Sequence, residues 1–333
     1  MEDDLTLRTS SRRTHRAALL VGTLIVGLAS ATIAQPQQQR NFASPEDGVA
    51  ALVEALKQDD QSALEAVLGP GSAEIINSGD PVADKTARDE FLKNYEAKST
   101  LVPVNDSTRR LQVGESDWPL PIPIVRRDAT WTFDLEAGRD ELLNRRIGRN
   151  EANAIEAALA FVDAQREYAS EDRDGDGILE YAQQFGSTGG MKNGLYWPTQ
   201  PGEPPSPLGP FFADAQSEGY FQEWEQKGTP APRAPEPYHG YYYLILTAQG
   251  PSVTGGAYDY IIDGNLIGGV AMIAYPAQYG VSGIMTFIVN HDGIVYQRDL
   301  GPETSEIAQA VTAFDPDATW QRVQTPVPVA SAP

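Results

Sequence analysis

The sequence contains no cysteine and only three histidines in 333 residues. The absence of cysteine excludes disulfide scaffolds, thiol catalysis, and zinc or iron–sulfur sites with cysteine ligands. The stability of the fold must therefore come from packing. A chain without thiols can also pass through an oxidising compartment without forming incorrect disulfides.

Basic residues are scarce as well, since 25 Lys and Arg stand against 46 Asp and Glu, giving a formal net charge of -21. A nucleic-acid-binding protein needs a basic face that neutralises phosphates, and this sequence offers only small arginine clusters. We therefore predict no nucleic-acid partner. A hydrophobic fraction of 41% with 21% charged residues is typical of a folded protein, and the length suggests two domains.

Sequence motifs of the common enzyme classes are also absent. We find no Gly-x-Ser-x-Gly elbow, His-Glu-x-x-His helix or phosphate-binding glycine loop. His291 lies in a His-Asp-Gly turn that backbone geometry alone explains. Asp134 and Glu141 would suit glycoside hydrolysis, but acids are so abundant that any such pair is weak evidence. We predict no catalytic and no cofactor-binding residue, and we favour a protein that is not an enzyme.

The first 34 residues have the pattern of a secretory signal peptide. A basic segment precedes an uncharged apolar run over residues 17–28, and small residues at 29–34 suit cleavage before Gln35. The arginines of the basic segment are Arg8, Arg12, Arg13 and Arg16. The alternative is a retained membrane anchor over residues 17–34, at the lower limit of a membrane span. We predict export to the periplasm or the extracellular space, with membrane contact only through this segment.

Residues 41–147 are predicted to form a first α+β domain. Ser44 and Pro45, followed by two acids, are typical of a helix start, and a second short helix is predicted to end at Gly69. A third helix is predicted over residues 85–98. Antiparallel strands are then predicted over residues 99–104, 109–113 and 129–133, interrupted by a proline-dense run at 118–123.

Residues 148–323 are predicted to form a second α+β domain, in which a long helix packs on an antiparallel β-meander. The helix is predicted over residues 150–170, with Asn150 as its cap. The strands of the meander are predicted over residues 241–246, 258–262, 266–275, 284–290 and 294–298, with turns at Asp263-Gly264 and Asp292-Gly293. Residues 324–333, rich in proline and small residues, are predicted to be a disordered tail.

Several short motifs, spread over most of the chain, resemble the bacterial family catalogued as domain of unknown function 2950. These motifs are Gly79-Asp80-Pro81, residues 145–151, residues 163–168, residues 194–198, Tyr238-His239-Gly240-Tyr241, residues 246–250, residues 275–280 and residues 286–290. The resemblance implies an exported envelope protein and no particular activity. The second domain also resembles the globular part of type IV pilins and pseudopilins. In pilins, however, the helix continues a membrane segment, whereas here about 115 residues separate the predicted cleavage point from the helix.

The acidic, glycine-rich segment at residues 172–180 is the one motif with a direct chemical mechanism. The spacing of its residues fits positions 1, 3, 5 and 6 of the EF-hand calcium loop, but position 12, which is normally Glu, is Gln183. The candidate metal ligands are Asp172, Asp174, Asp176 and Glu180. The alternative is an acidic turn at a helix end without metal. Calcium is the only cofactor that the sequence suggests.

A tyrosine cluster could serve as a stacking surface for carbohydrate or peptide. Its members are Tyr238, Tyr241, Tyr242 and Tyr243. Because side chains alternate across a strand, Tyr241 and Tyr243 share a face that Tyr242 does not, and we favour a core role for part of the cluster. We therefore predict an exported bacterial envelope protein that binds an unknown envelope protein or polymer without catalysis. The alternative is a hydrolase acting on an envelope polymer.

We predict that the mature protein begins near Gln35 and is found outside the cytoplasm, because residues 1–34 combine a basic segment with an uncharged apolar run. Mass spectrometry of the exported protein would identify the new amino terminus. An intact Met1 terminus in the envelope fraction would contradict the prediction.

Overall fold

A computed structural model describes residues 38–173, 175–221 and 236–324. The first helix, α1, begins at Pro45, directly after its capping residue Ser44. The predicted signal segment, Asp174 and all but the first residue of the predicted tail lie outside the described residues. Within the described ranges, no helix has both the length and the apolar character needed to cross a membrane.

The N-terminal part contains helices α1 Pro45–Lys57, α2 Gln61–Leu68, α3 Ala73–Ile76 and α4 Pro81–Ala97. Ser44 and Asp47 form a reciprocal capping box at the start of α1, where the sequence predicts a helix start. Helix α4 begins four residues before the predicted start. The reason is that the Asp80 side chain caps its first turn and Pro81 fits the first helical position.

A five-stranded antiparallel sheet follows, made of β1 Ser99–Asn105, β2 Thr108–Val113, β3 Trp118–Pro119, β4 Ile124–Arg127 and β5 Thr130–Phe133. The strand order is β1-β2-β4-β5, and β3 pairs with the last two residues of β2, Gln112 and Val113. Helices α1 and α2 pack against β5. Leu52, Val67, Ile124 and Phe133 are buried in this first hydrophobic core. The predicted strands are present, but β3, inside the proline-dense run, and β4, directly after it, were not predicted.

The long helix α5 spans Arg139–Tyr168, so it begins eleven residues before the predicted start. Asn150 does not cap it. Its side chain is buried inside the helix, where the amide donates a hydrogen bond to the carbonyl of Ser282 at 2.9 Å. Asn is a good capping residue, but here a tertiary contact uses its side chain instead.

Helix α5 contributes to two hydrophobic cores. Leu142 packs against the first core, whereas Ala154 and Phe161 are buried in a second core formed with the C-terminal strands. The proposed division into residues 41–147 and 148–323 would therefore fall inside this helix. That the two parts fold as separate units stays a prediction.

The second sheet is also five-stranded and antiparallel, in the order β14-β13-β12-β11-β6. Its strands are β6 Tyr241–Leu246, β11 Ala271–Pro276, β12 Met285–Asn290, β13 Tyr296–Asp299 and β14 Gln321–Arg322. Helix α5 packs against β11 and β12. The architecture is α+β, a long helix on an antiparallel meander after N-terminal helices and a sheet, as predicted.

Smaller elements lie before and within the meander and after β13. They are α6 Gly209–Ser217, β7 Ala248–Gln249, β8 Tyr258–Asp259, β9 Ile261–Ile262, β10 Asn265–Leu266 and α7 Thr304–Ala310. Two predicted long strands are thus broken into short ones. One break falls at Gly268 and Gly269, where an added Cβ at Gly269 would come within 2.8 Å of the Tyr260 ring. The short strands form two separate two-stranded pairs, β7 with β8 and β9 with β10, rather than a continuation of the main sheet.

Candidate functional site

The acidic loop, residues 172–180, is closed by its own carboxylates. The Asp172 carboxylate accepts the backbone N–H groups of Gly175 at 2.7 Å and Gly177 at 2.9 Å. Both glycines have positive φ, at +84° and +88°, a conformation that a residue with a Cβ rarely adopts. Asp176 accepts the backbone N–H of Ile178 at 2.7 Å. The sequence pattern therefore produces the tight turn that it predicts.

The acidic loop is hydrogen-bonded to the apolar hairpin, residues 258–267. The side-chain amide of Asn265 donates to Asp176 at 2.9 Å, and the backbone N–H of Leu266 donates to Glu180 at 3.1 Å. Just after the loop, the backbone N–H of Tyr181 donates to the carbonyl of Leu266 at 2.9 Å. Two acids of the proposed metal set thus act as acceptors that hold the hairpin in place.

The described ranges contain no group of three or more His, Asp or Glu residues that could hold a metal ion. Asp174, which fits position 3 of the predicted calcium loop, lies outside the described residues. Asp172 faces two backbone amides, while Asp176 and Glu180 reach the hairpin. Calcium binding by Asp172, Asp174, Asp176 and Glu180 stays a prediction.

Exposed apolar side chains concentrate on the same two segments. Nine large hydrophobic residues are exposed in the described ranges, and six of them belong to the acidic loop or to the hairpin and its last residue. These six are Ile178, Leu179, Tyr258, Ile261, Ile262 and Ile267, with exposures between 37% and 57%. We call this area, together with its flanking acids, the loop–hairpin surface. Exposed apolar side chains that concentrate on one part of a soluble protein mark interaction sites.

The sequence pattern does not reveal the loop–hairpin surface, because it predicts the hairpin residues as strands of the meander. A signal for it was present. Ile261 and Ile262 are adjacent, so one of the two must leave the buried face of any strand that contains both. In the structure both are exposed, because β9 pairs only with the two-residue strand β10.

The hairpin turn has a well-defined geometry. Asp263 and Gly264 connect β9 to β10 and both have positive φ, at 53° and 96°. This is the two-residue turn that matches the twist of antiparallel strands, and Asp-Gly is a preferred sequence for it. The side-chain amide of Gln183 also donates to the carbonyl of Gly264 at 2.7 Å. The predicted Asp-Gly turn is therefore confirmed, and its tip is attached to the segment after the acidic loop.

The charged residues of the hairpin, residues 258–267, are all acidic. No Lys or Arg occurs between Arg233 and Arg298 in the sequence. The acids in the two segments include the exposed residues Asp172, Asp176, Asp259 and Asp263. The guanidinium of Arg173 lies over the Trp197 ring at 5.6 Å and pairs with Glu171 at 3.1 Å. The surface thus combines apolar side chains with carboxylates.

A second polar cluster joins two motifs that are far apart in sequence. Asp80 is fully buried, and its carboxylate accepts three hydrogen bonds. The donors are the backbone N–H of Ala83 at 3.0 Å, the Tyr220 hydroxyl at 3.0 Å and the backbone N–H of Gly240 at 2.8 Å. This Asp80 bridge connects the start of α4 to the turn that precedes β6.

The turn before β6 supplies the amide that Asp80 binds. His239 and Gly240 both have positive φ, at 49° and 77°, between the paired residues Tyr238 and Tyr241. The Nε2 atom of His239 lies 3.0 Å from a Glu218 carboxylate oxygen. Burial lowers the pKa of His239, while Glu218 partly opposes this shift. Burial, with Asp80 nearby, also raises the pKa of the Tyr220 hydroxyl.

The Asp80 bridge has the properties of a structural cross-link. Both carboxylate oxygens accept hydrogen bonds, and the donors belong to helix α4, to Tyr220 and to the turn before β6. The carboxylate thereby holds these three parts together. The two acids that the sequence suggested for hydrolysis, Asp134 and Glu141, both form ion pairs. Asp134 lies 3.7 Å from Arg127, and Glu141 lies 2.6 Å from Arg145, so each acid has its own basic neighbour.

Most of the predicted tyrosine cluster belongs to the interior. Tyr238 and Tyr241 are buried, and the Tyr241 hydroxyl donates to the carbonyl of Met285 at 2.9 Å. Tyr242 and Tyr243 are half-buried and pack against the second core. This supports the core role over the stacking surface for carbohydrate.

We predict that Asp80→Asn lowers the free energy of unfolding by roughly 2–3 kcal/mol, because an amide nitrogen cannot accept the buried donors that the lost oxygen accepted. The matched control is Asp60→Asn at the exposed cap of α2, which accepts only the backbone N–H of Ala63. This control should cost only a few tenths of a kcal/mol, because Asn and Asp cap helices equally well. Urea unfolding would measure both. Equal costs for the two variants would contradict the role of the Asp80 bridge.

Comparison with known proteins places the chain in a family. No curated protein and no solved structure matches it. The family model described as "Protein of unknown function (DUF2950)" matches residues 39–323. The match includes the Asp80 bridge and the loop–hairpin surface. Because it covers most of the chain, the protein belongs to this family.

Proposed function

We propose that the protein is an exported bacterial envelope protein that acts by binding a partner, without catalysis. The observation that carries this proposal is the loop–hairpin surface, where six of the nine large apolar residues exposed in the described ranges lie on two hydrogen-bonded segments. A soluble protein rarely leaves such residues together in water unless they bind something. The proposal of export rests on the basic and apolar segments before Gln35.

The arrangement of the carboxylates favours binding over hydrolysis. A hydrolase that uses two carboxylic acids needs one in an apolar setting with a proton available for transfer. The most buried aspartate, Asp80, is engaged on both oxygens by structural donors. We also propose that the long helix α5 on its meander serves as a pilin-like interaction module, in which the apolar hairpin is the presented element.

The proposal predicts position-specific contacts in the cell. A photo-cross-linking residue introduced at Ile262, which is 47% exposed on the hairpin, should form a discrete cross-linked product in the envelope fraction. The matched control is the same residue at Ile307 on α7, which is 39% exposed and should give no such product. Equal products at the two positions, or none at Ile262, would refute the proposal, and a cytoplasmic location would refute export.

We further propose that the acidic loop binds calcium weakly. The loop brings Asp172, Asp176 and Glu180 into one short segment with Asp174, and carboxylate oxygens are the ligands that calcium prefers. Sites in extracellular modules have dissociation constants of about 0.1 to 1 mM. Calcium at roughly tenfold excess over that constant should stabilise the fold by roughly 1.4 kcal/mol.

Thermal unfolding in chelator and in millimolar calcium would test this proposal. The unfolding midpoint of the unaltered protein should rise with calcium, and that of Asp174→Ala should not, because the variant lacks one of the four acids. Asp89→Ala, at an exposed acid of α4, is the control and should keep the full calcium response. A midpoint that calcium leaves unmoved in the unaltered protein would show that the loop is only a turn.

A further inference from the structure

We propose that the partner of the loop–hairpin surface is a cationic amphipathic segment of another protein, with Lys or Arg beside large apolar side chains. This inference rests on the proposed binding function and specifies the chemistry of the partner. It follows from the two properties that the surface combines, which are exposed apolar side chains and acids without neighbouring Lys or Arg in the hairpin.

The apolar part of the surface is held in a fixed shape before any partner arrives. Ile178 and Leu179 lie between Asp176 and Glu180, the two acids that bind Asn265 and Leu266 of β10. The hairpin is closed by its Asp-Gly turn. The Tyr258 hydroxyl also donates to the carbonyl of Gly268 at 3.3 Å. A surface that is already ordered loses little conformational entropy on binding.

The acids determine which kind of partner suits the apolar residues. Asp259 and Asp263 are exposed on the hairpin itself. Asp263 directly follows β9, and one residue separates Asp259 from the start of β9. The segment from 234 to 297 contains no Lys or Arg that could neutralise them. Opposite charges across an interface accelerate association and select partners, whereas like charges placed together cost several kcal/mol. The complementary partner is therefore basic as well as apolar.

The same charges argue against the two other occupants of an exposed apolar surface. An anionic lipid surface would face the hairpin acids and be repelled by them. A second copy of this chain would bring the same acids against each other, in a protein with a formal net charge of -21. A cationic amphipathic segment is the occupant that gains from both the apolar and the acidic residues.

The test measures binding of a synthetic amphipathic helix of leucine and lysine, about four turns long. A second peptide has the same leucines but glutamate in place of lysine. Binding is followed by fluorescence anisotropy of labelled peptide, in chelator so that calcium does not compete for the acids. The lysine peptide should bind the full chain, and the glutamate peptide should not. Affinity for the lysine peptide should fall as salt is raised, because salt screens exposed charges.

Two pairs of variants separate the apolar from the acidic contribution. Ile261→Ser with Ile262→Ser should weaken binding about tenfold, a typical loss for central apolar contacts. Asp259→Asn with Asp263→Asn should weaken it and reduce its salt dependence, and Asn tolerates the positive φ at position 263. Ile267→Ser is a further apolar variant, in case the double change disturbs the hairpin. Thermal unfolding midpoints show whether each variant is folded.

Matched controls use exposed residues elsewhere on the chain. Ile307→Ser changes an exposed isoleucine of α7, and the pair Glu90→Gln with Asp106→Asn removes two exposed charges. Both controls should bind the lysine peptide as the unaltered protein does. If they weaken binding as much as the hairpin variants, the peptide recognises only the overall negative charge and the inference is wrong.

Other outcomes would also overturn the inference. These are binding of the glutamate peptide, sedimentation with anionic phosphatidylglycerol vesicles in place of peptide binding, or self-association that Ile261→Ser with Ile262→Ser abolishes. A cross-link at Ile262 without peptide binding would overturn the cationic partner while leaving the proposed binding function in place. Loss of both would refute both.

Discussion

The carboxylate of Asp80 is the interaction on which the arrangement of the two halves depends. It is fully buried, and it accepts hydrogen bonds from the first turn of α4, from Tyr220 and from the turn before β6. A buried carboxylate is costly unless its oxygens are satisfied, so the three donors must stay in place together. The start of an N-terminal helix and the first strand of the C-terminal sheet are thereby held at one point.

Helix α5 connects the same two halves by apolar packing. It contributes Leu142 to one core and Phe161 to the other, and the buried side chain of Asn150 binds the carbonyl of Ser282 near β12. In the first half of the helix, Arg146 donates to the carbonyls of Glu74 and Ile75 in α3. The helix is thus shared by both cores, and it is held in place by polar as well as apolar side chains.

Acidic side chains perform a second structural task at the loop–hairpin surface. Asp172 closes the loop by accepting amides of Gly175 and Gly177, and Asp176 and Glu180 attach the loop to the hairpin. Carboxylates that accept backbone amides are common in loops because they replace hydrogen bonds that water would otherwise make. Here the attachment has a further consequence, since it links the loop that carries the exposed Ile178 and Leu179 to the hairpin that carries the exposed Ile261 and Ile262.

The sequence alone determined the α+β class, the helix start at Ser44 and Pro45, the strand β6 and the Asp-Gly hairpin turn, because these depend on local geometry and periodicity. It also identified the family resemblance through short motifs. It could not locate the start of α5, because whether Asn150 caps a helix or binds Ser282 depends on a residue 132 positions away. Only the tertiary structure joined Asp80 to Gly240 and exposed Ile261 and Ile262 together. Burial and long-range hydrogen bonds decide these features, and they are properties of the folded chain.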